Sequence, residues 1–262
     1  MSLSPWFERA EVNRQLAVDG LCKAYGRVPA LFPLSFTLEP GEGLALLGPN
    51  GSGKTTLLRL IAGVSRPSDG MIRFVDSLSR GTVGRPIRVG LVGHDSYLYP
   101  DLTGFENLRF FLSLGHVGVS DLQVAGALDA VGMLAAANDR VASYSAGMQR
   151  RTGLARLLLA QPDLLLMDEP HASLDADGQA LVDGLIEAAK ASGRSVVIAS
   201  HDQDRTLELC EEMIVLDGGR VSFQGLVSDW RAHRHIRLLD TTNDADAAKI
   251  AGQISDLDIG SA

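Results

Sequence analysis

Short apolar runs bounded by turn residues alternate with stretches of helical period along most of the chain. Residues 16–21 and 34–38 carry alternating or clustered apolar side chains. Each is followed by turn chemistry, Lys23-Ala24-Tyr25-Gly26 and Glu39-Pro40-Gly41-Glu42-Gly43, which predicts two short antiparallel strands. Residues 44–47 form an apolar run of buried-strand length that stops at Gly48. A helix pattern opens at Lys54 and ends at Gly63, before a turn over 67–70. Residues 71–75 and 89–92 read as further strands. From about Leu102 the period becomes helical: Leu108, Phe111, Leu112 and Leu114 mark one helix and residues 122–131 a second. A third runs from Ser145 to Gln161, where Pro162 ends it. Beyond it come a buried strand at 164–167, a helix at 177–191, a buried strand at 195–200 and a helix at 203–211. Strands at 213–216 and 221–224 flank the turn Asp217-Gly218-Gly219-Arg220.

Strands alternating with helices predict an α/β fold around a mainly parallel, covered sheet. The helical block at about 95–160 interrupts that sheet as an inserted subdomain. Residues 1–11 read as a loosely held lead-in. After Gly225 the character changes again. Residues 228–239 form a basic-aromatic piece with Trp230, Arg231, Arg234 and Arg237, and residues 240–262 hold five Asp against one Lys. An amphipathic helix followed by an acidic flexible tail is the expectation there, with His233 and His235 as solvated helix residues and not metal ligands.

Composition narrows the class. The 262 residues are 45% hydrophobic and 21% charged, and the mean hydropathy is +0.09, an ordinary globular balance. The formal net charge is −8, with no dominant basic patch, so no nucleic-acid partner is expected. Cys22 and Cys210 stand far apart with no Cys-x-x-Cys spacing and read as small buried hydrophobes in a reducing compartment. The opening MSLSPWFERAEVNRQ has no continuous apolar core of a secretory signal, and no uncharged apolar run approaches the ~18 residues of a membrane span. A cytoplasmic location is expected.

The chemistry begins at Gly48-Pro49-Asn50-Gly51-Ser52-Gly53-Lys54-Thr55-Thr56, which fits the pattern Gly-x-x-x-x-Gly-Lys-Ser/Thr between a strand and a helix. Glycines let the backbone curl so that successive N–H groups face one anion, and the helix N-terminus adds positive partial charge. In such a loop Lys54 reaches the β- and γ-phosphates and the Thr55 hydroxyl ligates Mg²⁺. The bland alternative is an ordinary glycine-rich turn. Asp168 and Glu169 close the apolar strand at 164–167. An acidic residue at such a strand end supports Mg²⁺, and a second carboxylate beside it can accept a proton from, or orient, attacking water. An acidic pair at a helix start is the alternative.

The neighbours of that pair sharpen it. Ser145-Ala146-Gly147-Met148-Gln149-Arg150-Arg151 precedes it, Ser173-Leu174-Asp175 follows it, and His201 stands directly after the next buried strand. With Tyr25 and the phosphate loop, this order of pieces resembles the ATP-binding subunit of an ABC transporter over about residues 14–225. The resemblance implies an α/β P-loop NTPase fold with a mainly parallel sheet, an antiparallel N-terminal β subdomain and an inserted helical subdomain. The ATPase domain would span 12–225, followed by a C-terminal helix and acidic tail at 226–262. ATP and Mg²⁺ are the implied cofactors.

Position by position, the resemblance makes Tyr25 the adenine-stacking aromatic, where a turn aromatic packed on the first strands is the alternative. Residues 48–56 become the Walker A loop, with Lys54 counted in the catalytic set. Asp168 becomes the Walker B carboxylate, acting on Mg²⁺ through water. Glu169 becomes the catalytic glutamate, His201 the switch histidine, and residues 173–175 the loop that crosses a dimer interface. Ser145 and Gly147 fall in the signature that caps the γ-phosphate held by the opposite protomer. One chain carries one P-loop and one signature, so a homodimer or a paired ABC ATPase subunit is implied. So is an integral membrane permease, which would hold the chain at the inner face of the cell membrane.

The departures are Tyr144, Ala146 and Met148 for the usual Leu, Gly and Gln. His94 stands where most members have the Q-loop glutamine and is a tentative metal-site residue. His171, after Asp168-Glu169-Pro170, has no family role and is expected to be structural. Gly93-His94 with Leu102-Thr103-Gly104-Phe105-Glu106-Asn107-Leu108-Arg109-Phe110 is similar to the haem-export ATPase of cytochrome c maturation. The same pattern also suits ABC-2-type drug, polysaccharide or lipid exporters. A soluble ABC protein of Fe–S assembly and another P-loop enzyme such as a kinase are the rival classes.

Overall fold

The computed structural model describes residues 3, 6–7, 14–76, 86–93, 97–115 and 118–230. Three strands form the first sheet, in the order β2-β1-β4: β1 (Arg14–Tyr25), β2 (Val28–Leu38) and β4 (Asp69–Asp76). β1 pairs antiparallel with both neighbours. The predicted strand pair is therefore present, but β1 runs four residues beyond its expected end and the hairpin turns only at Gly26 and Arg27. Alternation decides which face is covered. Leu34, Phe36 and Leu38 point into the core while Ser35 and Thr37 are exposed, the signature of a sheet with one wet face.

The second sheet runs β5 (Val89–Val92), β6 (Leu164–Asp168), β7 (Ser195–Ser200), β3 (Gly43–Leu47), β8 (Glu212–Asp217) and β9 (Arg220–Leu226). From β5 to β8 every neighbouring pair is parallel. β3, β6 and β7 are buried at every position, as parallel strands covered on both faces must be. A two-residue turn at Gly218 and Gly219, both at positive φ, adds β9 as the edge hairpin.

Helix α1 (Lys54–Ile61) follows β3 and lies between the two sheets. Leu57, Leu58, Leu60 and Ile61 join Leu16 and Val18 of β1, Leu44 and Leu46 of β3 and Val197 of β7 in one core. Between β5 and β6 the chain inserts α2 (Gly104–Leu114), α3 (Asp121–Ala130) and α4 (Ala146–Ala160), the expected helical block. α2 and α3 each open with a capping box, Thr103 with Glu106 and Ser120 with Gln123. α5 (Ala176–Ala191) and α6 (Gln203–Leu209) complete the α/β alternation. No helix among the described residues is long and apolar enough to cross a membrane.

The lead-in departs from expectation. Leu3 and Phe7 are buried, and the Phe7 ring lies under the Arg194 guanidinium, 5.1 Å from its centroid. The Trp6 ring passes so close to Gly126 of α3 that a Cβ there would stand 3.3 Å from it. Cys210 is buried as expected, with burial pushing its thiol up to about 12, whereas Cys22 is only half-buried. Residues 225–262 form a separate unit. Its first turn of helix, 227–230, is described, and the predicted basic-aromatic helix and acidic tail otherwise lie outside the described residues.

Candidate functional site: a glycine-rich cradle beside two carboxylates

The loop between β3 and α1 is shaped by glycine where the backbone meets other backbone. Gly48 has φ 144, and a Cβ on it would stand 2.1 Å from the Leu216 carbonyl oxygen of β8. Gly53, the N-cap of α1, has φ 106 and would press a Cβ to 2.9 Å from the Ala30 carbonyl oxygen. No side chain caps α1, so its first N–H groups are left facing the loop, the arrangement that receives an anion. Lys54 is buried and its Nζ donates to the carbonyl oxygens of Gly48 at 2.6 Å and Pro49 at 3.1 Å. The loop therefore closes on its own lysine.

Above this loop lies a cavity of about 380 Å³ lined by Asn50 to Thr56 together with Ala30, Gly93, Tyr97, Asp168 and Glu169. The parallel register of β6 against β7 carries Asp168 to the mouth of the cavity opposite Ala199. There the Thr55 hydroxyl donates to Asp168 Oδ2 at 2.7 Å. Glu169 turns away from the strand at φ 50 while its N–H donates to the Ala199 carbonyl at 2.8 Å. Its Oε2 lies 2.8 Å from His201 Nδ1 and accepts from the Ser200 hydroxyl at 3.3 Å. Residues 54, 55, 168 and 169, separated by up to 115 positions in the chain (169 − 54), thus meet around one cavity, and His201 joins them through Glu169.

The sequence reading assigned no role to Arg150, yet it is the buried cation behind the carboxylates. Its guanidinium donates to the carbonyls of Gly93 at 3.1 Å and Asp168 at 3.2 Å. Burial pulls the guanidinium down from its ordinary value, and the charges of Asp168 and Glu169 oppose that pull. A lone arginine on the face of α4 that also carries Leu154, Leu157 and Leu158 was the available signal. Tyr97, at φ 51 on the cavity wall, and Ser200 were also missed.

A second depression, sharing no lining residue with the cavity, is formed by Ser145, Ala146, Gly147 and Met148 with Arg151 and residues 173–175. Ser145 caps α4, accepting from the Met148 N–H at 3.2 Å. Arg151 pairs with Asp175 at 2.7 Å, and the hydrogen bond from the Gly178 N–H, followed by that from Arg151, holds the Asp175 carboxyl below its ordinary value. Ser173 is at φ 62, and its carbonyl oxygen would lie 3.0 Å from a Cβ on Gly147. Of the departures, Tyr144 has a definite partner set. Its ring is buried against Gly104, where a Cβ would stand 2.4 Å from the hydroxyl, and that hydroxyl donates to the Ala136 carbonyl at 2.6 Å. Burial pushes the hydroxyl up from its ordinary value.

Two expected residues stand apart. Tyr25 is 54% exposed at the end of β1, beneath Lys23 Nζ at 5.0 Å, and does not line the cavity. His94 lies outside the described residues. His171 is buried with its Nε2 2.7 Å from Asp183 Oδ1 of α5, consistent with the structural role expected of it.

A protein-family model described as ABC transporter matches residues 31–172. The chain is 35% identical over 213 residues to the Nod factor export ATP-binding protein I of Ralstonia nicotianae, covering 80% of this chain and 66% of the relative. It is 37% identical over 218 residues to the sulfate/thiosulfate import ATP-binding protein CysA of Brucella melitensis, covering 80% of this chain and 61% of the relative. The chain thus spans about two thirds of the length of these relatives. Among solved structures it is similar to cbiO1 of Clostridium perfringens, part of the ABC transporter complex cbiONQ. The TM-score is 0.67 and the identity 26%, over 86% of this chain and 93% of that one. A parallel sheet with an antiparallel N-terminal sheet and an inserted helical block, a glycine cradle under two strand-end carboxylates, and the family match across 31–172 together establish that this chain belongs to the ABC transporter family.

Proposed function

We propose that this chain binds ATP with Mg²⁺ in the Lys54 cavity and hydrolyses it in a head-to-tail pair of cassettes, so as to drive a membrane-embedded permease. The observation that carries this reading is the convergence of Lys54, Thr55, Asp168 and Glu169 on one cavity above an uncapped helix N-terminus. Lys54 would exchange its two carbonyl partners for phosphate oxygens, a gain because a charged donor bonds an anion more strongly than a neutral carbonyl. The Thr55 hydroxyl and the Asp168 carboxylate, 2.7 Å apart, offer the hard oxygen donors that Mg²⁺ prefers. When bound, that ion neutralises charge developing on the phosphates. Glu169, tied to His201 and Ser200, is aimed by those bonds and would orient the attacking water. Tyr25, exposed on its hairpin, is the proposed stacking surface for adenine, and His94 the proposed Q-loop residue.

The depression at Ser145 and Gly147 supports the pairing. It presents a helix N-terminus outward, away from its own chain's cavity, and would complete the γ-phosphate site of a mate. Tyr99, Phe110 and Leu114, exposed on the helical block, are the proposed seat for the permease, which would keep the chain peripheral at the inner face of the cell membrane. Cargo is proposed only as a class, small molecules moved across a membrane, because the relatives' names cover both export and import. Haem export in particular rests on Gly93-His94 and residues 102–110. Much of that segment has local duties: Glu106 closes the capping box and buried Asn107 bonds the Tyr99 backbone through both N–H and C=O.

The test is complementation in a mixture. Lys54→Ala and Ser145→Arg variants should each hydrolyse ATP poorly alone. Mixed, they should regain part of the wild-type rate, because one of the two interfaces then keeps an intact Lys54 opposite an intact Ser145. A mixture no faster than its components refutes the shared site.

A further inference from the structure

His171 is a polar side chain buried in a place where an apolar one would fill the space, and its partners lead somewhere specific. Its Nε2 donates to Asp183 Oδ1 on α5 at 2.7 Å, while its Nδ1 is buried with no hydrogen-bond partner among the described residues. That single bond therefore sets the ring's orientation. The other carboxylate oxygen, Asp183 Oδ2, lies 3.6 Å from Arg205 Nη2 of α6. Arg205 is itself steadied by Gln179, whose side-chain oxygen accepts from Nη1 at 2.5 Å.

From α6 the connections return to the catalytic pair. Asp202 caps that helix, accepting from the Arg205 N–H at 3.4 Å, and its carbonyl accepts from the Thr206 hydroxyl at 2.7 Å. The Asp202 N–H donates to Ser200 Oγ at 3.0 Å, and Ser200 Oγ donates to Glu169 Oε2. His201, flanked by Ser200 and Asp202, meets that same Oε2 atom. On the other side the chain runs only from Glu169 through Pro170 to His171, with the Ala172 N–H closing back on the Glu169 carbonyl at 3.1 Å. The bonds form a closed ring: Glu169 to His171 along the chain, His171 to Asp183, Asp183 to Arg205, Arg205 to Asp202, Asp202 to Ser200, and Ser200 to Glu169.

We propose that His171 is a positioning residue. Through Asp183 and Arg205 it locks the turn bearing Glu169 to the segment bearing His201, and so fixes the water-orienting carboxylate. The physical need is visible in the backbone. Glu169 sits at φ 50, a conformation a side-chain-bearing residue holds only when its surroundings determine it, and the His201 side chain, 72% exposed, is not held by burial. Partners behind a catalytic group orient it much as those behind a metal ligand do, and an ångström of misplacement is costly.

The inference rests on the proposed ATP hydrolysis, and the test separates the two. The full chain is compared with His171→Phe, which keeps the volume and removes the donor, and His171→Gln, whose amide N–H can stand near the lost Nε2. Arg205→Gln cuts the ring at the surface without disturbing the core. The expected result is a fall in kcat of about tenfold in His171→Phe and Arg205→Gln with KM for ATP within about twofold, and recovery of most of the rate in His171→Gln. In the nucleotide-free chain, amide exchange at Glu169 and Asp202 should quicken in His171→Phe and not in His171→Gln. A wild-type kcat in folded His171→Phe, a wild-type kcat in Arg205→Gln, or an equal loss in the Phe and Gln variants overturns the proposal. Absence of hydrolysis in the wild-type chain with bound ATP would instead strike at the proposed function.

Discussion

Two helix N-termini in this molecule point at space where a phosphate would fit, and they are finished differently. α1 begins at Gly53 with no side-chain cap, under a cavity of about 380 Å³ whose walls hold Lys54, Asp168 and Glu169. α4 begins at Ser145, whose hydroxyl already accepts from Met148 N–H, in a depression whose charged neighbours, Arg151 and Asp175, are paired with each other. The first end leaves its donors unsatisfied and surrounds them. The second satisfies its own helix and offers only a hydroxyl, a dipole and glycine-sized clearance. A free helix end binds an anion by itself, whereas a capped one contributes when something else brings the anion to it. This contrast is the physical basis for reading the chain as half of a pair.

The largest expected difference is in nucleotide affinity. Lys54→Ala should weaken ATP binding by about a hundredfold, the loss of a charge-assisted bond to phosphate. Ser145→Ala should leave binding to the isolated chain unchanged. Titration calorimetry on the two variants decides it, and equal losses would erase the distinction. The next effect is on stability. Gly48→Ala places a methyl 2.1 Å from the Leu216 carbonyl at a left-handed φ, and should cost about 3 kcal/mol or more in urea unfolding. Gly147→Ala meets the Ser173 carbonyl at 3.0 Å without backbone strain and should cost less than half as much, about 1 kcal/mol. Similar costs at the two glycines would mean that the cradle is less tightly built than its contacts indicate. The smallest effect is at the capped end, where Ser145→Ala removes the acceptor for Met148 N–H and should cost at most about 1 kcal/mol. No measurable change in the unfolding midpoint would show that water replaces the cap.

The parts of the site that sequence made legible are local ones. The Walker-type loop is contiguous, its glycines stand where the backbone turns, and its strand-loop-helix context is readable from periodicity alone. The same holds for the strand-end pair Asp168 and Glu169 and for the cap at Ser145. For Arg150 the chain shows only an arginine on the apolar face of α4, and no local pattern indicates that its guanidinium reaches the carbonyls of Gly93 and Asp168. The burial of Leu3 and Phe7 in the lead-in is not legible for the same reason. Trp6 and Phe7 find their partners at Gly126 and Arg194, more than a hundred positions away (126 − 6 and 194 − 7). A structural expectation for His171 names no partner, because its contact with Asp183 of α5 is made across twelve positions of chain.

Element type, order and the glycine-rich loop at 48–56 were determined by the sequence, because hydrophobic period, turn residues and caps act over a few positions. Which sheet a strand joins was decided only by tertiary structure. β3 lies between β7 and β8, and β6 is brought beside β5 only after the whole helical block has intervened. That order is settled by burying apolar faces together, and it sets the register placing Asp168 beside Thr55 and Glu169 beside His201. A chain can name its chemical groups locally. The distances between them come from long-range packing.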